Sequence, residues 1–126
     1  MKHLKKKGRK FSRLKKPREA MLKTMLGSFI LKEKITTTEA KAKELKMISD
    51  RFFGRAIKAV SQKEKKDQLS SLRFLSSQLP RNIKVDQIRK LAEKFSAKKS
   101  GFSRIIKKGA RHSDSAKMAI IEMIID

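Results

Sequence analysis

The chain has no cysteine, no tryptophan and no tyrosine, only two prolines, and 12 acidic residues against 35 Lys and Arg. Each shortage excludes something. Without cysteine there is no disulfide framework and no thiolate metal site, and the compartment is most simply a reducing one. Without Trp and Tyr the aromatic content rests on seven Phe, of which Phe29, Phe52 and Phe95 fall on helical core stripes. A stacking platform for single strands needs exposed aromatics, so none is expected. A membrane-spanning helix needs about 20 apolar residues. The apolar run near the C-terminal end, Met118 to Ile121, is cut by Glu122. The basic stretch Lys2 to Lys10 is followed by no apolar secretion-signal core, and it is Lys-rich with a single nearby serine, Ser12. It is expected to belong to the mature protein rather than to a targeting segment.

Catalytic signatures are also missing. No HExxH, no paired carboxylates on one helical face and no Gly-rich phosphate loop occur. The acids are dispersed, whereas a metal-dependent nuclease needs them clustered. His112, Ser113 and Asp114 are adjacent, but consecutive side chains rarely converge on one reacting atom. His3 and His112 have no metal-site context, so no enzyme activity, cofactor or metal is expected.

What is present is positive charge, +23 over 126 residues. Self-repulsion on that scale opposes compaction, and a polyanion relieves it. The excess is uneven. Residues 1–18 carry ten Lys and Arg and no acid, residues 19–97 carry eighteen against nine, and residues 98–126 carry seven against three. The first block cannot collapse on itself and is read as an extended basic arm, with residues 19–126 as one domain.

Hydrophobic spacing gives the elements. Pro17 suits the first position of a helix whose face carries Met21/Leu22, Met25/Leu26 and Phe29/Ile30. Gly27 inside it marks either a close contact or tolerated weakness. Lys34 to Thr38 is β-branched and reads as a strand. Thr37 or Thr38 can cap a second helix with Leu45, Ile48, Phe52, Ala56 and Ala59 inward and Lys43, Lys46, Arg51 and Lys58 outward. Gln62 to Leu79 reads as a third helix with Leu69, Leu72, Leu75 and Leu79 inward, stopped by Pro80. Val85, Ile88, Leu91, Ala92 and Phe95 mark a fourth. Phe102 to Lys107 alternates as a strand, and Met118 to Ile125 reads as a strand buried on both faces. Lys107 to Lys117 between them is a long polar loop. The expected fold is α+β: a small three-stranded mixed sheet with about four helices packed on it, in the order α-β-α-α-α-β-β.

The candidate RNA contacts follow the charge. On the arm they are Lys2, His3, Lys5, Lys6, Lys7, Arg9, Lys10, Arg13, Lys15, Lys16 and Arg18. Lys41 and Lys43 lie at the start of the second helix, and Lys98, Lys99, Arg104, Lys107, Lys108, Arg111 and His112 lie in an acid-poor loop, residues 98–112. Phosphate contacts and shape recognition are the expected mode. Two gripping elements at opposite chain ends suit a folded RNA, whereas duplex DNA favours one basic helix or a symmetric dimer. A nucleoid-type DNA-binding protein is the alternative, and it would need a dimer face. A membrane-active protein would need a free amphipathic helix, and an RNA-processing enzyme an acid–base cluster.

A resemblance narrows the RNA. Lys7-Gly8-Arg9-Lys10-Phe11-Ser12-Arg13, then Arg18-Glu19-Ala20-Met21, resembles the N-terminal signature of the bacterial large-subunit ribosomal protein L17 family. Ile35-Thr36-Thr37-Thr38-Glu39-Ala40-Lys41-Ala42-Lys43-Glu44-Leu45 is similar to that family's central motif. Gly101-Phe102-Ser103-Arg104-Ile105 and Met118-Ala119-Ile120-Ile121-Glu122 are similar to its C-terminal pieces. Residues 60–97 are the variable part. The resemblance implies a structural protein bound to 23S-type ribosomal RNA near the outer opening of the polypeptide exit tunnel. Neighbouring large-subunit proteins would be its partners, with no membrane, no small-molecule substrate and no homo-oligomer. It also implies the ribosome of a cytoplasm, with an organelle matrix left open. Two departures affect loops: Ser100-Gly101-Phe102 stands where the family has two glycines and Tyr, and Ser113, Asp114 and Lys117 stand where it has Gly-Asp and Pro.

Overall fold

The computed structural model describes residues 8–125. Its elements run α1 (Lys15–Lys32), β1 (Lys34–Thr38), α2 (Glu39–Val60), α3 (Lys65–Ser77), α4 (Val85–Lys94), β2 (Ser103–Ala110) and β3 (Lys117–Met123). The α+β class and the element order are those expected from the sequence.

Helix α1 begins at Lys15, so Pro17 takes the third helical position rather than the first. That is still inside the first turn, where a missing N–H leaves no intrahelical bond unmade. The helix ends at Glu33, whose left-handed backbone (φ 64°) lets its N–H donate to the Phe29 carbonyl at 2.8 Å. Gly27 is required by contact: a Cβ there would sit 2.8 Å from Cγ and 2.9 Å from Cδ of Pro80. The weakness of glycine in a helix is thus exchanged for the close approach of the α3–α4 connection.

Strand β1 passes directly into α2. Thr38 caps the helix, its Oγ1 accepting from the Lys41 N–H at 3.4 Å. Helix α2 is the hub, touching every other helix and strand. Its inward stripe buries Leu45, Phe52, Phe53, Ala56 and Ala59. Phe53 is the centre of the aromatic core. Its ring stacks on Phe95 with centroids 4.9 Å apart, and Phe102 meets it edge-on at 6.0 Å.

Helix α3 is shorter than expected: it starts at Lys65, after the polar Gln62, Lys63 and Glu64, and ends at Ser77. Leu69 is 41% exposed rather than inward. Gln68 takes the inward place, and its Nε2 donates to the Val60 carbonyl at 2.8 Å. Leu72, Leu75 and Leu79 are buried as expected.

The sheet order is β1-β3-β2, and both pairings are antiparallel, so the sheet is not mixed. The chain enters β1 and β2 in one direction and returns along β3 between them. Ile35, Ile121 and Ile105 align across the sheet on the face that α2 covers. The other face carries Lys34, Thr36, Arg104 and Ile106 exposed, with Met118, Ile120 and Glu122 half-buried. Strand β3 is therefore buried on one face only: Ala119, Ile121 and Met123 point inward.

The expected long loop between the last two strands is partly strand. β2 continues to Ala110 through a bulge between Lys107 and Gly109, where Gly109 has φ 94°. The turn is confined to residues 111–116 and closes with Arg111 N–H donating to the Ala116 carbonyl at 2.8 Å.

Candidate nucleic-acid interface

Lys2, His3, Lys5, Lys6 and Lys7 lie outside the described residues. The rest of the arm docks on α2. Gly8 (φ 82°) packs so tightly that a Cβ would lie 2.8 Å from Oε2 of Glu44. Oε1 of Glu44 accepts the Arg9 backbone N–H at 3.0 Å. This carboxylate is only 9% exposed, so the bond fixes where the basic segment leaves the domain. Phe11 and Ser12 then turn with positive φ, and Arg13 donates to the Phe11 carbonyl at 3.0 Å. Lys10, Lys15 and Lys16 are exposed, and Arg18 is half-buried.

The arm lies between two clefts. One, of about 280 Å³, is lined by Arg9, Thr38, Glu39, Ala40, Lys43, Ala116 and Lys117. It joins the arm, the start of α2 and the β2–β3 hairpin, segments from opposite ends of the chain. Glu39 organises the cations. It pairs with Lys43 at 3.2 Å and Lys107 at 3.7 Å. The hydrogen bond from Lys43, with the nearby charges of Lys107 and Lys117, holds its carboxyl below the usual glutamate range. Three lysines around one acid leave a local positive excess. A helix N-terminus adds to it.

The second cleft, of about 630 Å³, is lined by Gly8, Arg9, Arg18, Glu19, Leu22, Glu44, Met47, Ile48 and Arg51. It opens onto a row along α2 at helical spacing: Lys43, Met47, Arg51, Arg55 and Lys58, all exposed. Arg55 was missed as a candidate contact, and Arg51 and Lys58 were read only as the outer face of the helix. Their four-residue and three-residue spacing from Lys43 was the available signal.

Other candidates are engaged or separated. Lys46, read as outward, turns to the sheet. Its Nζ donates to Asp50 and to the Ser103 carbonyl, both at 2.9 Å, while Ser103 Oγ donates to Asp50 at 2.8 Å. Arg104 pairs with Glu122 across the open sheet face. Arg111 grips Asp114 with two bonds, at 2.9 and 2.6 Å, and Asp114 also accepts the Ala116 N–H. The guanidinium and that N–H lower the Asp114 carboxyl to about 2. Asp114 is thus a turn-former, and it makes no bond to His112, which is exposed. Lys107 and Lys108 stand at the hairpin end of β2, whereas the half-buried Lys98 and exposed Lys99 precede its other end. The strand between spans about 25 Å. The expected 98–112 loop is therefore two separate patches, and Lys41, at the start of α2, is half-buried. Among the described residues, no three His, Asp or Glu are grouped to hold a metal. None of their helices is long and apolar enough to cross a membrane.

A helix-backed open sheet with unbalanced cations at the hairpin end defines a basic α+β protein. Residues 21–124 match the family described as Ribosomal protein L17, and the chain belongs to that family, one of structural, non-enzymatic ribosomal proteins. It is 39% identical over 120 residues to the large ribosomal subunit protein bL17 of Thermodesulfovibrio yellowstonii, covering 93% of this chain and 83% of the relative. Identity to the protein of that name from Pelagibacter ubique is 37% over 117 residues, 92% of this chain and 75% of the relative. For that of Sorangium cellulosum it is 35% over 144 residues, 98% and 83%.

Proposed function

We propose that this chain is a structural constituent of the large ribosomal subunit that binds 23S-type ribosomal RNA through phosphate and shape contacts and catalyses no reaction. The observation that carries the reading is convergence. Arg9 from the arm and Lys107 and Lys117 from the hairpin gather with Lys43 at the start of α2. Cations from both chain ends on one surface suit RNA strands that approach from different directions. The names of the relatives support the subunit, and with it a ribosomal location and neighbouring large-subunit proteins as partners. In this reading the basic segment 1–18 adds its cations to the grip, those of residues 9–18 on the surface of the domain itself.

The test has two parts. In a sucrose gradient with Mg²⁺ at moderate salt, the protein is expected to sediment with large ribosomal particles. Recovery only with the nucleoid would favour the DNA-binding alternative and overturn this reading. Removal of residues 1–7 is expected to flatten the salt dependence of ribosomal-RNA binding, by about one in slope for each phosphate no longer neutralised. An unchanged slope would show that those lysines touch no phosphate.

A further inference from the structure

The short α3 leaves an opening on the side of α2 away from the sheet. A cleft of about 460 Å³ is floored there by the buried Ala59 and Leu75 and walled by Phe74. Arg55 and Lys58 line its α2 side, and Gln62, Ser70 and Ser71 its rim. The volume lies within the roughly 300–1,000 Å³ of small-ligand pockets. The rim is ordered by Gln62 Nε2 donating to Ser71 Oγ at 3.4 Å.

An exposed Phe alone needs no explanation. Three things set Phe74 apart. It is 58% exposed, the most exposed of the described phenylalanines, and it borders a cleft rather than open surface. Arg55 and Lys58 make no ion pair among the described residues, and no carboxylate lines the cleft. The rim supplies hydroxyl and amide groups that both donate and accept hydrogen bonds. An aromatic face, unbalanced cations and an adaptable polar rim are the parts that recognise one unstacked nucleotide. A base inside a duplex offers no free face for this. An apolar peptide would leave Arg55 and Lys58 without partners.

We infer that the α2–α3 cleft is a binding site for an unpaired RNA nucleotide, its base on the face of Phe74 and its phosphate on Arg55 and Lys58. The inference rests on RNA being the partner and adds a single-stranded subsite to the phosphate and shape contacts. It also replaces the expectation that no aromatic is available for stacking.

The test measures binding of the full chain to single-stranded oligoadenylate, to an RNA duplex of equal length and to 23S ribosomal RNA. Circular dichroism confirms that each variant is folded. Phe74→Ala is expected to weaken oligoadenylate binding by about 5- to 100-fold at fixed salt, the range of single base–aromatic contacts. Duplex binding should stay unchanged. Phe74→Tyr should retain the strand affinity, because it keeps the ring, whereas Phe74→Leu should lose it despite filling the space. Arg55→Gln and Lys58→Gln should each flatten the salt slope of strand binding by about one. Wild-type affinity in Phe74→Leu would overturn the site. Equal losses for strand and duplex would overturn it too. If the wild-type chain binds 23S RNA but not oligoadenylate, this subsite falls and the proposed function stands. If it binds neither, both fall.

Discussion

Single residues hold the surface in shape, and the hairpin turn shows how. Asp114 accepts from Arg111 and from the Ala116 N–H, and its carboxyl is lowered from 3.8 to about 2. A lowered carboxyl stabilises the turn above its unfolded value, about 3.8, and that contribution is lost as pH falls toward 2. An NMR titration should therefore show the Ala116 amide signal moving only below pH 4. In Arg111→Gln the Asp114 midpoint should rise toward the ordinary aspartate value. A midpoint unmoved by that change would mean the guanidinium does not hold the carboxylate in solution. Because the pair lies on the surface, its effect is on local order rather than on the stability of the domain. With Arg111 balanced by Asp114, and Lys107 and Lys43 sharing the single carboxylate of Glu39, the hairpin keeps a net positive charge at its turn end.

At the scale of elements, α2 does two things at once. Its inner stripe covers the sheet and carries Phe53, and its N-terminal half receives the arm through Glu44. The bond from Arg9 to this nearly buried carboxylate is of the charge-assisted kind, worth about 1.5–3 kcal/mol. Glu44→Ala should then raise hydrogen exchange at Arg9 and its neighbours by roughly 10- to 100-fold, at about 1.4 kcal/mol per factor of ten. Protection in α4 should be unaffected. Glu44→Gln keeps an acceptor oxygen and should fall between the two. Equal protection of the Arg9 amide in wild type and Glu44→Ala would show that the arm is not anchored there. The Lys46–Asp50–Ser103 network has the same logic on the other side of α2, tying the helix to the start of β2.

For the molecule as a whole, a charge of +23 with only 12 acids sets the conditions for stability. Several of those acids are spent on internal pairs, among them Glu33 with Lys94 and Glu122 with Arg104. Twelve carboxylates cannot neutralise 35 Lys and Arg, so repulsion among the cations persists in the folded chain. Screening should therefore stabilise the free protein. Raising ionic strength from about 0.01 to 0.1 M shortens the Debye length from about 30 to 10 Å. Tm is expected to rise over that range and, if ribosomal RNA binds the folded form as proposed, to rise further on its addition. A Tm independent of salt would show that the internal pairs already balance the domain. The same cations would make the proposed RNA binding steeply salt-dependent, through release of counterions from the RNA, so stability and binding would respond to salt in opposite directions.

Periodicity and composition by themselves determined the element order, the strand Lys34–Thr38 and the buried stripe of α2, and narrowed the cap to Thr37 or Thr38, because each depends on local spacing and local hydrogen bonds. Charge counting pointed to a polyanion as the partner. Tertiary structure alone decided the rest. The reading of Gly27 was settled by Pro80, fifty-three positions away, and Leu69 was turned outward by Gln68. The direction of β1 relative to β3 made the sheet antiparallel, and a bulge extended β2 through what looked like loop. Phe74 joins Arg55 and Lys58 only when α3 packs on α2. Contacts between distant segments depend on how elements are oriented in space, and that information is absent from the spacing of residues along the chain.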